Sequence, residues 1–238
     1  SASPPTSPSA ATALPSWVKS HPTFYDRARF YPIQGRQLPS VTTILDIINK
    51  PALGPWYAKE ERRHFETALV EIASQHATIT AEQLLDAVIT AVDGVKAADR
   101  AKSKAASIGT AAHAMIEWHT RKMMGESVGP ELTIPDAAMV AVESWKDWAK
   151  EVAFRPLAIE RTVYCLTCGY AGTMDWLGYV RDVLTLGDYK TGKAIYPESF
   201  LQNVAYRHAS CLTPATQGII LRLPKTLDDP QFEAMVLP

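Results

Sequence analysis

The 238-residue chain has little cysteine, no long apolar run and almost no net charge, and each shortage narrows what the protein can be. Three cysteines do not make a disulfide framework in a chain this long, and Cys165-Leu166-Thr167-Cys168 are too close to staple much of it. The expectation is a reducing, intracellular compartment. No apolar stretch approaches the ~20 residues of a membrane-spanning helix, so the chain reads as soluble, with no membrane partner. The formal charge of −1, from 24 basic and 25 acidic residues, does not announce a polyanion as partner. Nor does it exclude one, because an acidic centre and a basic groove cancel in the sum.

What is present is an ordinary globular composition, 47% hydrophobic, enough for one large or two small domains sharing a core. Residues 1–16, rich in Ser, Pro, Ala and Thr, cannot bury enough apolar surface to offset their ordering entropy. They read as a disordered tail or the stub of a processed targeting segment, with no acidic residue. Residues 17–134 read as a mainly helical region. Phe30 to Leu38 suggests an irregular hairpin, and Ser40 can cap a short helix from Val41 to Asn49 that Pro51 closes. Helices are expected from about Pro55 to His76, from Ala81 to Val92 behind a Thr80-x-x-Gln83 capping box and ended by Gly94, and from Ala97 to Met124. The Lys59-Glu60-Glu61-Arg62-Arg63-His64 cluster fits a solvated helix face better than a nucleic-acid contact.

Residues 135–238 change character. After a loop from Gly125 to Pro135, Asp136 to Val152 is an amphipathic helix; then the apolar period becomes two. Strands are expected at Leu157–Tyr164, Tyr170–Val180 and Val183–Tyr189, with Arg181-Asp182 as a tight turn. Pro197 starts a helix to about Leu212, and residues 218–223 and 232–237 read as closing strands. A strand running to the terminal Pro238 leaves room for a further helix beyond it. The fold class is α/β: helix, three-stranded meander, helix, strand, preceded by the helical region.

The chemistry concentrates in the meander. Asp175 and Asp188 fall at the ends of neighbouring strands, so both can reach one divalent cation, and Lys190 shares a strand face with Asp188. Gln202 and Tyr206 lie one turn apart on the following helix, and Gly109, His113 and Glu117 recur every four residues on one face of the long helix upstream. Each has a plainer reading alone: Asp188 as a turn acid, Lys190 in a surface turn, Tyr206 as a half-buried aromatic, His113 as a satisfied histidine. Cys165, Cys168, His208 and Cys211 can formally make a zinc site, against the plainer reading of a hairpin turn plus a buried helix cysteine.

In their order, these motifs resemble the PD-(D/E)XK nuclease superfamily, in its RecB-like branch with the CRISPR-associated and mitochondrial genome maintenance exonucleases. The resemblance covers about Asp136 to the C-terminus and the Gly109-Thr110-x-x-His113 segment, with a weaker echo at Pro39-Ser40-Val41-Thr42 and Trp56. It implies a restriction-endonuclease-like core in which Asp175 and Asp188 are the signature acids, Lys190 the signature lysine and Gln202-x-x-x-Tyr206 the branch motif. His113 corresponds to the upstream metal-binding histidine and Glu160 to an acid on the first core strand, a water-mediated or indirect partner of the metal. Met174 stands where the pattern has proline.

The expected activity is metal-dependent hydrolysis of phosphodiester bonds, as an exonuclease preferring single-stranded DNA ends, with endonuclease or flap cleavage as variants. Mg²⁺ or Mn²⁺ would be held by His113, Asp175, Asp188 and the Tyr189 carbonyl. Arg100, Lys102 and Lys104, with aromatics at Phe24, Tyr25 and Trp56, can supply phosphate contacts and stacking. Replication or recombination proteins are the expected partners, in cytoplasm, a phage-infected cell or an organelle matrix. Four-cysteine iron–sulfur clusters occur among the relatives, but three cysteines do not supply one. The reading from another class is a non-catalytic DNA-binding or assembly subunit that keeps the fold.

Overall fold

Where the apolar period changes from helical to two, the chain changes from helices to a sheet. The computed structural model describes residues 28–48, 53–93, 97–209, 211, 215–225, 229 and 232–238. The expectations for the tail, Phe24, Tyr25, Pro51 and Gly94 lie outside these residues. The element order is β1 (Phe30–Ile33), β2 (Arg36–Pro39), α1 (Val41–Leu45), α2 (Leu53–Gln75), α3 (Ala81–Val92), α4 (Ala97–Met123) and α5 (Asp136–Glu151). Then follow β3 (Arg155–Cys165), β4 (Tyr170–Val180), β5 (Val183–Lys190), α6 (Pro197–Arg207), β6 (Gln217–Arg222) and β7 (Glu233–Leu237).

The protein is thus mixed α/β. β1 and β2 form a hairpin, and the other five strands form one sheet in the order β3-β4-β5-β6-β7, antiparallel except for the parallel β5–β6 pair. That parallel pair needs a crossover, which α6 provides. Among the described residues no helix is long and apolar enough to cross a membrane.

Local chemistry sets several boundaries. At the start of α3 the Gln83 N–H donates to Thr80 Oγ1 at 3.2 Å and the Thr80 N–H donates to Gln83 Oε1 at 3.1 Å, closing the expected capping box. Arg181 and Asp182 both take positive φ, 47° and 68°, which matches the twist of the strands their turn joins. Two helices are shorter than the pattern suggests. α1 stops at Leu45, after which Ile48 N–H donates to the Leu45 carbonyl, closing a tighter turn. α6 stops at Arg207, not near Leu212: past it the chain turns so that Cys211 Sγ accepts the Tyr164 N–H of β3 at 3.1 Å, and this tertiary contact overrides the helical pattern.

The central strands β4, β5 and β6 are buried on both faces, and the edge strands β3 and β7 are largely exposed. On one side α4 and α5 contribute Met115, Ile116, Trp145 and Trp148 to a cluster with Trp176, Tyr189, Ile219 and Leu221. Truncating either buried indole of α5 to alanine costs about 3–5 kcal/mol by the usual cavity penalty. On the other side Val41 of α1 and Tyr206 of α6 pack with Val163, Met174, Leu177 and Leu186. The strand ends carrying the acids therefore lie between two helical layers.

Candidate active site

β4 and β5 part company where their acids sit. Their pairing ends at Trp176 opposite Gly187, while β4 runs on against β3 as far as Tyr170. Ala171 pairs with Tyr164 on one edge and makes an isolated bridge to Ser40. Ser40 thus takes the edge that β5 has left, and Thr173 to Asp175 line a notch between the two. The Tyr189 N–H of β5 reaches into it and donates to Asp175 Oδ2 at 2.6 Å. A strand residue directs its N–H and C=O to the same edge, so the Tyr189 carbonyl also faces the notch. The Lys190 carbonyl, on the opposite edge, accepts the Leu223 N–H at 2.7 Å.

The period of two breaks at this point. Met174 packs in the α6-side cluster and Trp176 in the α4–α5 cluster, although they are two residues apart. Across from them, Glu160 falls between Ile159, which pairs with Trp176, and Arg161, which pairs with Met174. Its φ is 47°, a left-handed conformation that a side-chain-bearing residue rarely holds. A paired irregularity of this kind re-aims side chains, and here it aims acids.

Asp188, 1% exposed, lies on the α6 side with Lys190, whose Nζ is 2.6 Å from Asp188 Oδ2. Lys190 Nζ also donates to Gln202 Oε1 at 3.1 Å, and Gln202 Nε2 donates to the Tyr206 hydroxyl at 3.3 Å. The Tyr206 ring lies so close over β4 that a Cβ added at Gly172 would be 2.5 Å from its hydroxyl oxygen. Four of the expected residues, Asp188, Lys190, Gln202 and Tyr206, thus form one chain of contacts, and Asp175 is tied to the Tyr189 N–H between the first two.

Electrostatics marks the same place. Burial pushes the Asp175 carboxyl well above the usual range, with Asp188 adding to the push and Lys190 and the Tyr189 N–H resisting it. Burial alone would lower the Lys190 ammonium, but Asp188 and Asp175 outweigh it and raise the pKa. Glu160 is raised by burial and then by Glu117, against the pull of Arg121 and Arg29.

His113 stands differently. Its ring packs edge-on against that of Tyr189, 5.7 Å between centroids, so it belongs to the α4 side of β5 while Asp188 and Lys190 face α6. Burial lowers its pKa, although the charge of Asp188 reaches it in the opposite sense. The close approach of α4 depends on Gly109, where an added Cβ would lie 2.5 Å from Thr191 Oγ1.

Among the described residues no three His, Cys, Asp or Glu side chains gather so as to hold a metal ion. The formal zinc set Cys165, Cys168, His208 and Cys211 does not gather in this way, and Cys211 is exposed and beyond α6, not the buried helix cysteine of the plainer reading. Cys165 Sγ accepts the Cys168 N–H at 3.3 Å, as a turn sulfur does, and Cys211 Sγ is engaged with Tyr164. His113, Asp175 and Asp188 do not converge either. The acid pair by itself suits a hard divalent cation: Asp188 Oδ1 is buried with no hydrogen-bond partner among the described residues, and Asp175 is held against ionising. His113 lies outside that fit.

Sequence reasoning gave no site role to four neighbours. Glu117 was placed by its period on the Gly109–His113 face, but not beside Glu160, whose pKa it helps to raise. Arg29, Tyr31 and Lys225 had no such signal. Tyr31 shares a 3.0 Å hydrogen bond between its hydroxyl and Thr173 Oγ1 across 142 residues, and Lys225 lies beyond β6. The chain matches no protein-family model and no curated protein.

Proposed function

We propose that this protein is a divalent-metal-dependent DNA nuclease with a restriction-endonuclease-like core, acting as an exonuclease on single-stranded ends. The observation that carries the reading is the Asp188 carboxylate: buried, with Oδ1 unpartnered, near a second, partly buried acid and 2.6 Å from a lysine. Such an arrangement is costly for stability alone and suits a site that binds a cation.

Asp175 and Asp188 would hold Mg²⁺ or Mn²⁺ with the Tyr189 carbonyl beside them, whereas His113, which completes the set in the nuclease resemblance, stands apart from the acids. Such an ion supplies phosphoryl polarisation and a water of lowered pKa. The chain's own groups do the rest. Lys190 stays protonated because two acids adjoin it, so its ammonium can offset charge developing on a phosphate oxygen. Gln202 fixes that ammonium through Oε1, and its amide can present Oε1 because Nε2 is engaged by Tyr206. The Tyr189 N–H orients Asp175.

The test is digestion of end-labelled single-stranded DNA with Mn²⁺ or Mg²⁺ by wild type, Asp188→Ala and Lys190→Ala, using free and end-blocked oligonucleotides. Wild type should release mononucleotides or short products from free ends, with both variants slower by about 10³-fold or more, as for loss of a central electrostatic group. Equal digestion by all three would place the activity elsewhere. Binding without cleavage under either metal would favour the second reading, a non-catalytic DNA-binding or assembly subunit. The separation of His113 from the acids is the observation on its side.

A further inference from the structure

Lys225 is held at both ends, by its backbone N–H and by its Nζ. Its N–H donates to Asp229 Oδ2 at 2.8 Å, and Asp229 Oδ1 is 3.5 Å from Nη1 of the buried Arg222. The same Arg222 nitrogen donates to the Gly192 carbonyl at 3.2 Å. The backbone after β6 is therefore tied to the turn that follows Lys190. Two residues before Lys225, Leu223 donates to the Lys190 carbonyl, a second tie to the same strand end.

The side chain crosses to the helical layer. Lys225 Nζ donates to the Ala105 carbonyl of α4 at 3.1 Å, two turns ahead of His113, and its charge is among those felt by that histidine. An ammonium has three N–H donors, and the Ala105 carbonyl engages one. Lys190 lies on the other, α6-facing side of β5, so the two lysines flank the end of that strand. A cation held rigidly on backbone carbonyl and half-buried gives up little rotamer freedom when a ligand arrives.

We propose that Lys225 contacts a backbone phosphate of single-stranded nucleic acid, on the α4 side of the acid centre, opposite Lys190. The proposal rests on the nuclease reading and adds a binding residue to it. Its role is ground-state positioning of the strand, so KM and affinity depend on it more than kcat does.

The experiment is equilibrium binding of a fluorescein-labelled oligo(dT) to the full chain in Ca²⁺ over a range of KCl, for wild type, Lys225→Gln and Lys225→Arg, with thermal unfolding of each. For single strands, log K falls with log [salt] by ~0.7 per phosphate contact. Lys225→Gln should bind several-fold more weakly at 0.1 M KCl and lose ~0.7 from that slope, whereas Lys225→Arg, still cationic, should keep it. Wild-type slope and affinity in Lys225→Gln would overturn the proposal while leaving the nuclease reading intact. It would equally fall if both variants lost affinity in step with thermal stability, because the lysine would then be structural. Failure of wild type to bind or cut any oligonucleotide would overturn the nuclease reading itself, and this one with it.

Discussion

Nζ of Lys190 lies 2.6 Å from Oδ2 of Asp188, two residues earlier on the same face of β5, and the two side chains differ sharply in their access to water. The lysine side chain is 28% exposed and the aspartate side chain 2%. Removing one partner therefore does not have the same consequence as removing the other. Lys190→Met leaves a buried carboxylate without its cation, which costs about 3 kcal/mol. Asp188→Asn leaves an ammonium that still reaches solvent and Gln202, at about 1 kcal/mol. The double variant should be more stable than Lys190→Met, and urea unfolding of the four proteins gives the cycle. Equal losses for the two single variants would mean that Asp188 is not carried as a buried carboxylate. Under the proposed nuclease reading all three variants should be inactive.

Asp175 bears on stability against pH. Its carboxyl is raised in the folded state, chiefly by burial and then by Asp188, so the fold binds its proton more tightly than the unfolded chain does. The stabilisation is complete below the ordinary value of 3.8 and is lost as pH rises from there through the raised folded value. Asp175→Asn keeps an oxygen for the Tyr189 N–H and cannot ionise. In metal-free buffer it should therefore melt higher than wild type at pH 7, with the advantage vanishing near pH 4. Added Mn²⁺ should raise the melting temperature of wild type, by linkage to binding, and raise that of the variant less. Melting curves across pH, with and without EDTA, decide it.

Much of this centre was legible because it obeys simple periods. Lys190 follows Asp188 by two on a strand, and Tyr206 follows Gln202 by four on a helix, and both pairs are in contact. What was not legible breaks a period or spans the chain. Strict alternation would give Met174 and Trp176 one face, and they have two because β3 and β4 are irregular at Glu160 and Asp175. Alternation also says nothing of which helical layer meets which strand face. So His113 was foreseen on a face with Gly109 and Glu117, but not that the Tyr189 ring would stand against it. Beyond the end of α6, Cys211 meets β3, a contact across 47 residues that no local pattern encodes.

Glu160 separates strain from chemistry. Its φ of 47° costs a residue with a side chain about 1–2 kcal/mol, a cost glycine escapes. Glu160→Gly removes that strain together with a carboxyl crowded by Glu117, against a loss of about 0.5–1 kcal/mol for the freer unfolded chain. It should come out more stable than Glu160→Ala by about 1 kcal/mol, and under the proposed nuclease reading both should be less active. Urea midpoints showing Glu160→Ala to be the more stable of the two would rule out strain at this position.

Gly109 sets how near α4 comes to the end of β5. Glycine inside a helix is worse than alanine by about 0.8–1 kcal/mol, so Gly109→Ala should stabilise the protein if helix propensity were all that mattered. The added Cβ, however, would be 2.5 Å from Thr191 Oγ1 and 3.4 Å from Thr191 Cβ, so either Thr191 turns or α4 backs away. Crowding of that kind costs about 1–3 kcal/mol, which cancels or exceeds the gain. In a Thr191→Ala background the obstructing hydroxyl is gone, and Gly109→Ala should then stabilise by nearly the full propensity difference. The sign of the substitution should thus depend on residue 191, a coupling of at least about 1 kcal/mol in a double-mutant cycle. Activity supplies the second readout. His113 is one turn beyond Gly109 on the same face, so a helix displaced by the clash carries the imidazole away from the Tyr189 ring, and under the proposed nuclease reading cleavage should fall with Thr191 present and recover in the double variant. Stabilisation by Gly109→Ala with Thr191 in place, and unchanged activity, would show that the approach of α4 has slack and that His113 does not depend on it.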